Sequence, residues 1–209
     1  LLDQQRADQA VKVEEAAQVL KNLESDVAEY ERLLEEQAAE EARVNDEIAQ
    51  REAELEELIR QNQIQFTVSN GWLYPLPTSC MTLTSAFGYR IHPITGRPHS
   101  HTGTDIAAPY GTPIKAVKSG VVTISEYGSS YGNYVVISHG DGTTSLYAHM
   151  SSRAASAGDV VSQGDVIGYV GSTGNSTGNH LHLEIRVNGS RVDPEQYWPD
   201  LPFYRQYNT

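Results

Sequence analysis

The clearest pattern of hydrophobic and polar positions lies between residues 180 and 187. Apolar and polar side chains alternate there without a break, in the order His180, Leu181, His182, Leu183, Glu184, Ile185, Arg186, Val187. A period of two predicts a half-buried β-strand whose apolar row faces a core. The two imidazoles then share the polar face, with roughly 7 Å between their Cα atoms. This arrangement favours a metal or proton-transfer site. We interpret the neighbouring Glu184 as a surface carboxylate, with a general base or a group that orients a metal ligand as the alternative.

A heptad pattern occupies residues 1–63. The segment contains no Gly or Pro and is rich in strong helix formers. Two rows of mostly apolar residues, spaced seven apart, predict a coiled-coil helix roughly 90 Å long. Glu41, Gln37 and Arg51 interrupt these rows near the middle of the helix, which predicts weak or partner-dependent pairing. The members of the rows are Val13, Leu20, Val27, Leu34, Glu41, Ile48, Leu55 and Asn62 in one row, and Ala16, Leu23, Tyr30, Gln37, Val44, Arg51 and Leu58 in the other.

Composition changes abruptly after Gln63, where short β-prone runs replace the helical pattern. Prolines and glycines predict a linker at residues 64–75, because each Pro disfavours helix in itself and in the preceding residue. Many short strands with turns between them predict an all-β barrel or sandwich over residues 76–200, with a tail at 201–209. Asn188-Gly189 predicts a hairpin turn. The predicted strands cover residues 82–87, 113–117, 120–125, 134–138, 143–149, 166–170 and 180–187.

Charge is concentrated in the helical segment. Residues 1–63 contain 7 basic and 18 acidic residues, whereas residues 64–209 contain 8 and 9. This distribution forms no basic patch, so we predict no nucleic-acid partner. Cys80 is the only cysteine, which excludes an intrachain disulfide, and we predict that it is a small buried side chain. The sequence has no run of 18 apolar residues, so we predict no membrane-spanning helix.

Candidate metal ligands lie in two short motifs. An extended chain would place His101, Gly103 and Asp105 on one face. A catalytic zinc needs three protein ligands and one open position for water. His101 and Asp105 supply a nitrogen and an oxygen, and either His180 or His182 supplies the third ligand.

The remaining histidines compete for roles. His149 closes its predicted strand on the polar side, so it is suited to accept a proton or to stabilise an oxyanion beside the metal. His99 shares the face of His101 and is an alternative ligand, although the spacing with the intervening glycine favours His101. His92 lies in a Pro/Gly loop and is expected to line a groove. His139 precedes a turn and is expected to be a strand-end residue.

Five motifs together resemble the zinc metallopeptidases of the lysostaphin and LytM type, peptidase family M23. Their order and spacing agree over about 120 residues, from about Leu76 to Tyr197, which is far more specific than any single motif. The motifs are Ser85-Ala86-Phe87-Gly88-Tyr89-Arg90, His101-Thr102-Gly103-Thr104-Asp105-Ile106-Ala107, Leu146-Tyr147-Ala148-His149, Gly171-Ser172-Thr173-Gly174-Asn175-Ser176-Thr177-Gly178 and His180-Leu181-His182-Leu183-Glu184.

The resemblance implies a small antiparallel β fold with a groove over one zinc ion. It also implies endopeptidase activity on the peptide stems or cross-bridges of bacterial peptidoglycan. By position, His101, Asp105 and His182 are the implied zinc ligands, and His149 and His180 are the implied catalytic histidines. All five are retained, which favours a working enzyme over the alternative, a non-cutting coiled-coil adaptor or activator of another murein hydrolase.

The predicted coiled coil lies outside the resemblance. We expect it to be a spacer or dimerisation stalk. Because such arms in related hydrolases dock on membrane partners or cover the groove, the alternative is a regulatory arm that acts through a membrane protein, self-association or the groove. A peptidoglycan substrate implies an extracytoplasmic place, in the bacterial cell envelope or secreted. The sequence begins at Leu1 rather than Met, and we expect a longer protein whose targeting segment lies outside it.

Overall fold

A computed structural model describes residues 2–61, 64–91 and 98–206 of the chain. They form one long helix, α1 (Leu2–Arg60), then thirteen strands and a short 3₁₀ helix at Pro194–Tyr197. Among these residues, no helix has both the length and the apolar character needed to cross a bilayer. The strands are β1 (Thr82–Ser85), β2 (Gly88–Ile91), β3 (Pro98–His101), β4 (Thr104–Ala107), β5 (Pro113–Lys115), β6 (Gly120–Gly128), β7 (Gly132–Ser138), β8 (Thr143–Arg153), β9 (Val160–Val161), β10 (Val166–Val170), β11 (His180–Val187), β12 (Ser190–Val192) and β13 (Tyr204–Arg205).

One eleven-stranded sheet holds most of the β domain. Its neighbours follow the order β13-β1-β4-β11-β8-β7-β6-β9, while β10 pairs with β5 and β8, and β12 pairs with β11. Strands β2 and β3 form a separate two-stranded sheet. Apart from the parallel pair β1–β13, the described pairs are antiparallel. The predicted antiparallel all-β domain is confirmed.

Strand β11 lies between β4 and β8, and both of its faces are buried. Leu181 and Leu183 lie in the main apolar core, as the alternation predicts. His182 and Glu184 on the opposite face are 4% and 0% exposed. The prediction of a half-buried strand is therefore wrong. A second apolar cluster covers the polar face, because Ala148, the cross-strand partner of His182, belongs to that cluster.

The last third of α1 belongs to the same compact unit as the β domain. The chain divides into Leu1–Ala39 and Glu40–Thr209, so the division falls inside the helix, whereas the sequence predicts a linker at residues 64–75. Val44 and Ile48, predicted for a coiled-coil seam, are buried in the second apolar cluster. That cluster comprises Val44, Ile48, Ile124, Tyr131, Tyr134, Val136, Leu146 and Ala148. The coiled-coil pairing itself stays a prediction.

The chain between His101 and Asp105 is not one continuous strand. Strand β3 ends at His101 and β4 begins at Thr104. Gly103 joins them where the chain passes against β11, and a Cβ there would lie 2.3 Å from the carbonyl oxygen of Leu183. The prediction of a single extended segment is wrong, because β3 pairs with β2 in the separate sheet whereas β4 belongs to the main sheet.

Several local predictions agree with the structure. Asn188 and Gly189 join β11 to β12 with φ values of 48° and 76°, as expected for a tight hairpin turn. Cys80 is buried and unpaired, as predicted. Strand β8 differs from its prediction, because it continues past His149 to Arg153.

His139 is completely buried directly after β7. Its Nδ1 lies 3.0 Å from the carbonyl oxygen of Ser119, and its Nε2 lies 3.0 Å from the hydroxyl oxygen of Ser145. Burial, with a smaller contribution from nearby Lys118, lowers the pKa of His139 to about 4, although the Ser119 hydrogen bond and Asp141 oppose the shift. The imidazole is therefore neutral in the folded protein at neutral pH.

The fragment of residues 40–209 should unfold at nearly the same temperature as the β domain of the full chain. The fragment of residues 64–209, cut at the predicted linker, should unfold roughly 10 °C or more lower. The reason is that it lacks the buried Val44, Ile48 and Leu55, each of which contributes about 1.5–3 kcal/mol by burial. Differential scanning calorimetry of the two fragments checks this, and equal midpoints would contradict the division inside the helix.

The stability of the protein should fall between pH 7 and pH 5 by about 2 kcal/mol because of His139 alone. The unfolded chain takes up a proton near the ordinary histidine pKa of 6.5, whereas the folded protein binds it only near pH 4. Stability is therefore lost as the pH falls through this window. His139→Gln should show a correspondingly smaller pH dependence in urea unfolding with chelator present. An identical dependence in the variant would contradict the assignment.

Candidate active site

Neighbouring strands bring the predicted metal ligands together. His182 on β11 is the register partner of Asp105 on β4. His101 is the last residue of β3, just before the Thr102-Gly103 turn into β4. The potential ligand atoms of the three side chains all lie within 4.8 Å of one another. His101 and His182 are buried.

The three ligand atoms form a compact triangle. The distance from His182 Nδ1 to Asp105 Oδ1 is 2.8 Å, and His101 Nε2 lies 3.3 Å from the same oxygen. The two ring nitrogens are 3.2 Å apart. A tetrahedral zinc ion with bonds of 2.0–2.2 Å separates its ligand atoms by about 3.3–3.6 Å. The two separations that involve His101 match this spacing, whereas the 2.8 Å between His182 and Asp105 is shorter and would lengthen around an ion. Two imidazole nitrogens and one carboxylate oxygen are a donor set that suits zinc.

Hydrogen bonds outside the triangle fix which nitrogen of each ring faces inward. His101 Nδ1 lies 2.9 Å from the carbonyl oxygen of Ala86. A carbonyl only accepts, so Nδ1–H donates to it and the lone pair of Nε2 faces the site. His182 uses its nitrogens in the opposite sense. Its Nδ1 faces Asp105, and its Nε2 lies 3.4 Å from Glu184 Oε1.

The close packing of these groups shifts their pKa values. Burial by itself would raise the pKa of Asp105, but hydrogen bonds from His101 and His182 hold it well below its ordinary range. Burial by itself would lower the pKa of His182, but hydrogen bonds with Asp105 and Glu184 raise it to about 9. Metal binding at neutral pH therefore releases a proton from this site.

The predicted catalytic histidines lie side by side next to the triangle. The ring centroids of His149 on β8 and His180 on β11 are 4.7 Å apart. His149 Nδ1 lies 2.8 Å from the carbonyl oxygen of Thr173, and His180 Nδ1 lies 2.8 Å from that of Gly178. Each Nδ1–H therefore donates to the backbone, which leaves both Nε2 atoms available. His180 Nε2 lies 3.7 Å from Asp105 Oδ1.

His149 has an unusual backbone conformation. Its φ is 59°, and its N–H donates to the carbonyl oxygen of Tyr131 at 2.8 Å. Such strain persists only where the surrounding structure fixes it, and it occurs often at functional sites. Burial, then the charges of His182 and His180, lower the pKa of His149 to about 3. The ring is therefore neutral at neutral pH and presents a proton acceptor.

A polar cleft adjoins the triangle. It reaches both a candidate metal ligand, Asp105, and a candidate catalytic residue, His180. The cleft therefore connects the two functional groups of residues. Its lining consists of Thr84, Ser85, Asp105, Thr177, Gly178, Asn179 and His180.

Glu184 is the residue whose place the sequence pattern missed. It is completely buried, and its carboxylate accepts hydrogen bonds from Tyr131 and Arg186. The expectation of a surface carboxylate is wrong, because the face of β11 that bears it is covered. A signal was present in the sequence, since Arg186 lies two residues away on the same strand face and Arg191 follows on the hairpin.

The structure describes the environment of only one of the other histidines. His139 is buried away from the triangle and contacts Ser119, Ser145 and Trp72. His92 and the side chain of His99 lie outside the described residues, so the alternative that His99 is a ligand stays untested. The structure thus brings together the five predicted site residues without testing their roles.

Peptidase family M23 matches residues 99–194 of the chain. The DD-carboxypeptidase/endopeptidase Mpg of Neisseria meningitidis is 51% identical over 112 residues, which cover 54% of this chain and 26% of that protein. The peptidoglycan DD-endopeptidase ShyC of Vibrio cholerae is 47% identical over 105 residues, 50% of this chain and 24% of that protein. The chain therefore spans about a quarter of the length of these curated relatives.

Solved structures agree with these sequence matches. A zinc-containing peptidase of Vibrio cholerae has a TM-score of 0.58 and 36% identity, covering 59% of this chain and 39% of that one. Lysostaphin of Staphylococcus simulans has a TM-score of 0.50 and 30% identity, covering 58% of this chain and 50% of that one. These similarities do not favour the alternative of a non-cutting adaptor.

Proposed function

Residues 99–194 form a domain of peptidase family M23, and on that premise we propose that the protein is a zinc-dependent endopeptidase of bacterial peptidoglycan. The observation that carries the proposal is the triangle of His101, Asp105 and His182 with two further imidazoles beside it. Relatives named as peptidoglycan DD-endopeptidases support the substrate, a peptide bond of the stems or cross-bridges.

We assign the metal to the triangle. His101 Nε2, Asp105 Oδ1 and His182 Nδ1 would hold one zinc ion. Zinc supplies Lewis-acid polarisation of a carbonyl and a water nucleophile at neutral pH. Three protein ligands leave one position open, as a catalytic rather than a structural zinc requires. His101 and His182 are buried, whereas Asp105 lines the cleft through which a substrate would reach the open position.

We assign proton transfer and charge stabilisation to His149 and His180. Hydrolysis of an amide needs a group that accepts a proton from the nucleophile and a group that stabilises the oxyanion. The backbone carbonyls of Thr173 and Gly178 orient the two rings so that their Nε2 atoms are available. One histidine accepts the proton and the other stabilises the developing charge. The adjoining cleft is the proposed place of the peptide.

His182→Ala should abolish zinc binding and cleavage together, because it removes a ligand. His180→Ala should keep zinc and lose roughly 100- to 10,000-fold in cleavage rate, because it removes only a proton-transfer or charge-stabilising group. Zinc content is measured by inductively coupled plasma mass spectrometry of the purified proteins. Cleavage is followed by mass spectrometry of the fragments released from defined muropeptides.

The control is the unaltered protein with chelator, which should stop cutting and recover when zinc is returned. Equal loss of zinc in His180→Ala and His182→Ala would contradict the assignment of ligands. A zinc-loaded protein that leaves peptidoglycan intact would contradict the enzymatic function.

We further propose that residues 1–39 pair with a second helix, either that of another copy or that of a membrane-protein regulator. Val13, Leu20 and Leu23 of the predicted seam are 69%, 60% and 56% exposed. The segment has 10 acidic and 4 basic residues, so two copies repel each other. We also propose an extracytoplasmic location, in the bacterial cell envelope or secreted, because the proposed substrate lies there.

Self-association of the full chain should be weak and should strengthen as salt is raised from about 50 mM to 500 mM, because salt screens the repulsion between acidic helices. The fragment of residues 40–209 should stay monomeric under the same conditions. Sedimentation velocity measures both. A full chain that remains monomeric at every salt concentration would contradict pairing with a second copy.

A further inference from the structure

The buried carboxylate of Glu184 has four polar partners. Its Oε1 accepts the hydroxyl of Tyr131 at 2.9 Å and lies 3.4 Å from His182 Nε2. Its Oε2 accepts Arg186 Nη2 at 2.6 Å and Arg191 Nε at 3.1 Å. Burying a charged group away from water is costly unless its partners compensate. The two arginines compensate the charge at Oε2, while Oε1 is the oxygen that reaches His182.

The partner that gives Glu184 a function is His182. When Nε2–H of the ring donates to Glu184, Nδ1 carries the lone pair that faces His101 and Asp105. A histidine that binds a metal is commonly oriented by a carboxylate on its other nitrogen. His101 obtains the same orientation from the backbone carbonyl of Ala86. His182 has no such carbonyl contact among the described hydrogen bonds, so Glu184 takes that place.

Tyr131 connects this pair to the helix. Its hydroxyl donates to Glu184, and its ring centroid lies 5.9 Å from that of His182. Its backbone carbonyl accepts the N–H of His149 at 2.8 Å. Its ring belongs to the same buried cluster as Val44 and Ile48 of α1. One residue therefore contacts the helix cluster, the carboxylate and the backbone of the strained histidine.

We propose that Glu184 is a positioning residue that sets the ring of His182 for zinc, and that Tyr131 joins it to the packing of residues 40–48 of α1. This inference rests on the proposed function, since it concerns the same zinc site. It assigns a part in the metal centre to residues 40–48 of the helix.

Tyr131→Phe tests the hydroxyl without removing the ring. We expect zinc to bind about 10-fold more weakly, because the carboxylate loses the donor that holds it toward His182. The melting temperature without zinc should change by no more than a few degrees, since the ring still fills its place. Chelator competition measures the zinc dissociation constant. Nitrogen-15 spectra of the zinc-free protein, recorded above the pKa of His182, should show its Nε2–H tautomer less populated in the variant.

Ile48→Ala and Leu55→Ala form a matched pair for the helix. Both residues lie on α1 and are 1% and 4% exposed, but Leu55 belongs to neither described apolar cluster and Ile48 shares that of Tyr131. Both variants should melt at lower temperature. Zinc affinity should fall several-fold in Ile48→Ala and stay unchanged in Leu55→Ala.

The outcomes separate this inference from the proposed function. A protein that binds no zinc would contradict both. If the unaltered protein binds zinc and cuts peptidoglycan, but Tyr131→Phe binds zinc just as tightly, only the positioning role is overturned. Equal zinc affinities in Ile48→Ala and Leu55→Ala would overturn the part assigned to the helix. Glu184→Gln adds a direct test, because the amide keeps the volume and should weaken zinc binding at least as much as Tyr131→Phe.

Discussion

The site depends on one cross-strand pair, Asp105 on β4 opposite His182 on β11. Residues directly opposite each other in an antiparallel ladder have side chains close enough to share a ligand. Register matters here, because a slip of one residue would turn His182 to the other face of the sheet. The apolar row of β11 prevents the slip, since Leu181 and Leu183 would then leave the main core.

Packing around this pair supplies the remaining geometry. Gly103 lets the chain pass against the backbone of Leu183, so that His101 arrives beside Asp105 from a different strand. Backbone carbonyls hold the rings of His101, His149 and His180 by their Nδ1 atoms. His182 is the exception, because its outer nitrogen meets a carboxylate. A rigid scaffold thus sets four imidazoles and one carboxylate in fixed orientations, as precise chemistry requires.

The helix has two parts that differ in their surroundings. From Val13 to Val27 the predicted seam is exposed, whereas Val44 and Ile48 are buried with the sheet. The same heptad spacing therefore serves two purposes along one element. An apolar stripe on a helix predicts only that it packs against another apolar surface. It does not identify that surface, because a sheet and a second helix can both bury the same side chains.

The sequence by itself determined the class of the β domain, most of its strands, the hairpin at Asn188-Gly189 and the five residues gathered at the site. These follow from local periodicity, turn chemistry and a set of motifs that resembles a known family. Only the tertiary structure decided that Glu184 is buried, that the chain breaks at Gly103 and that α1 covers the sheet from Glu40 onward. Each of these depends on contacts between residues far apart in the chain, such as Ile48 with the cluster of Tyr131. A pattern of neighbours along a strand or a helix carries no information about which surface comes to lie against it.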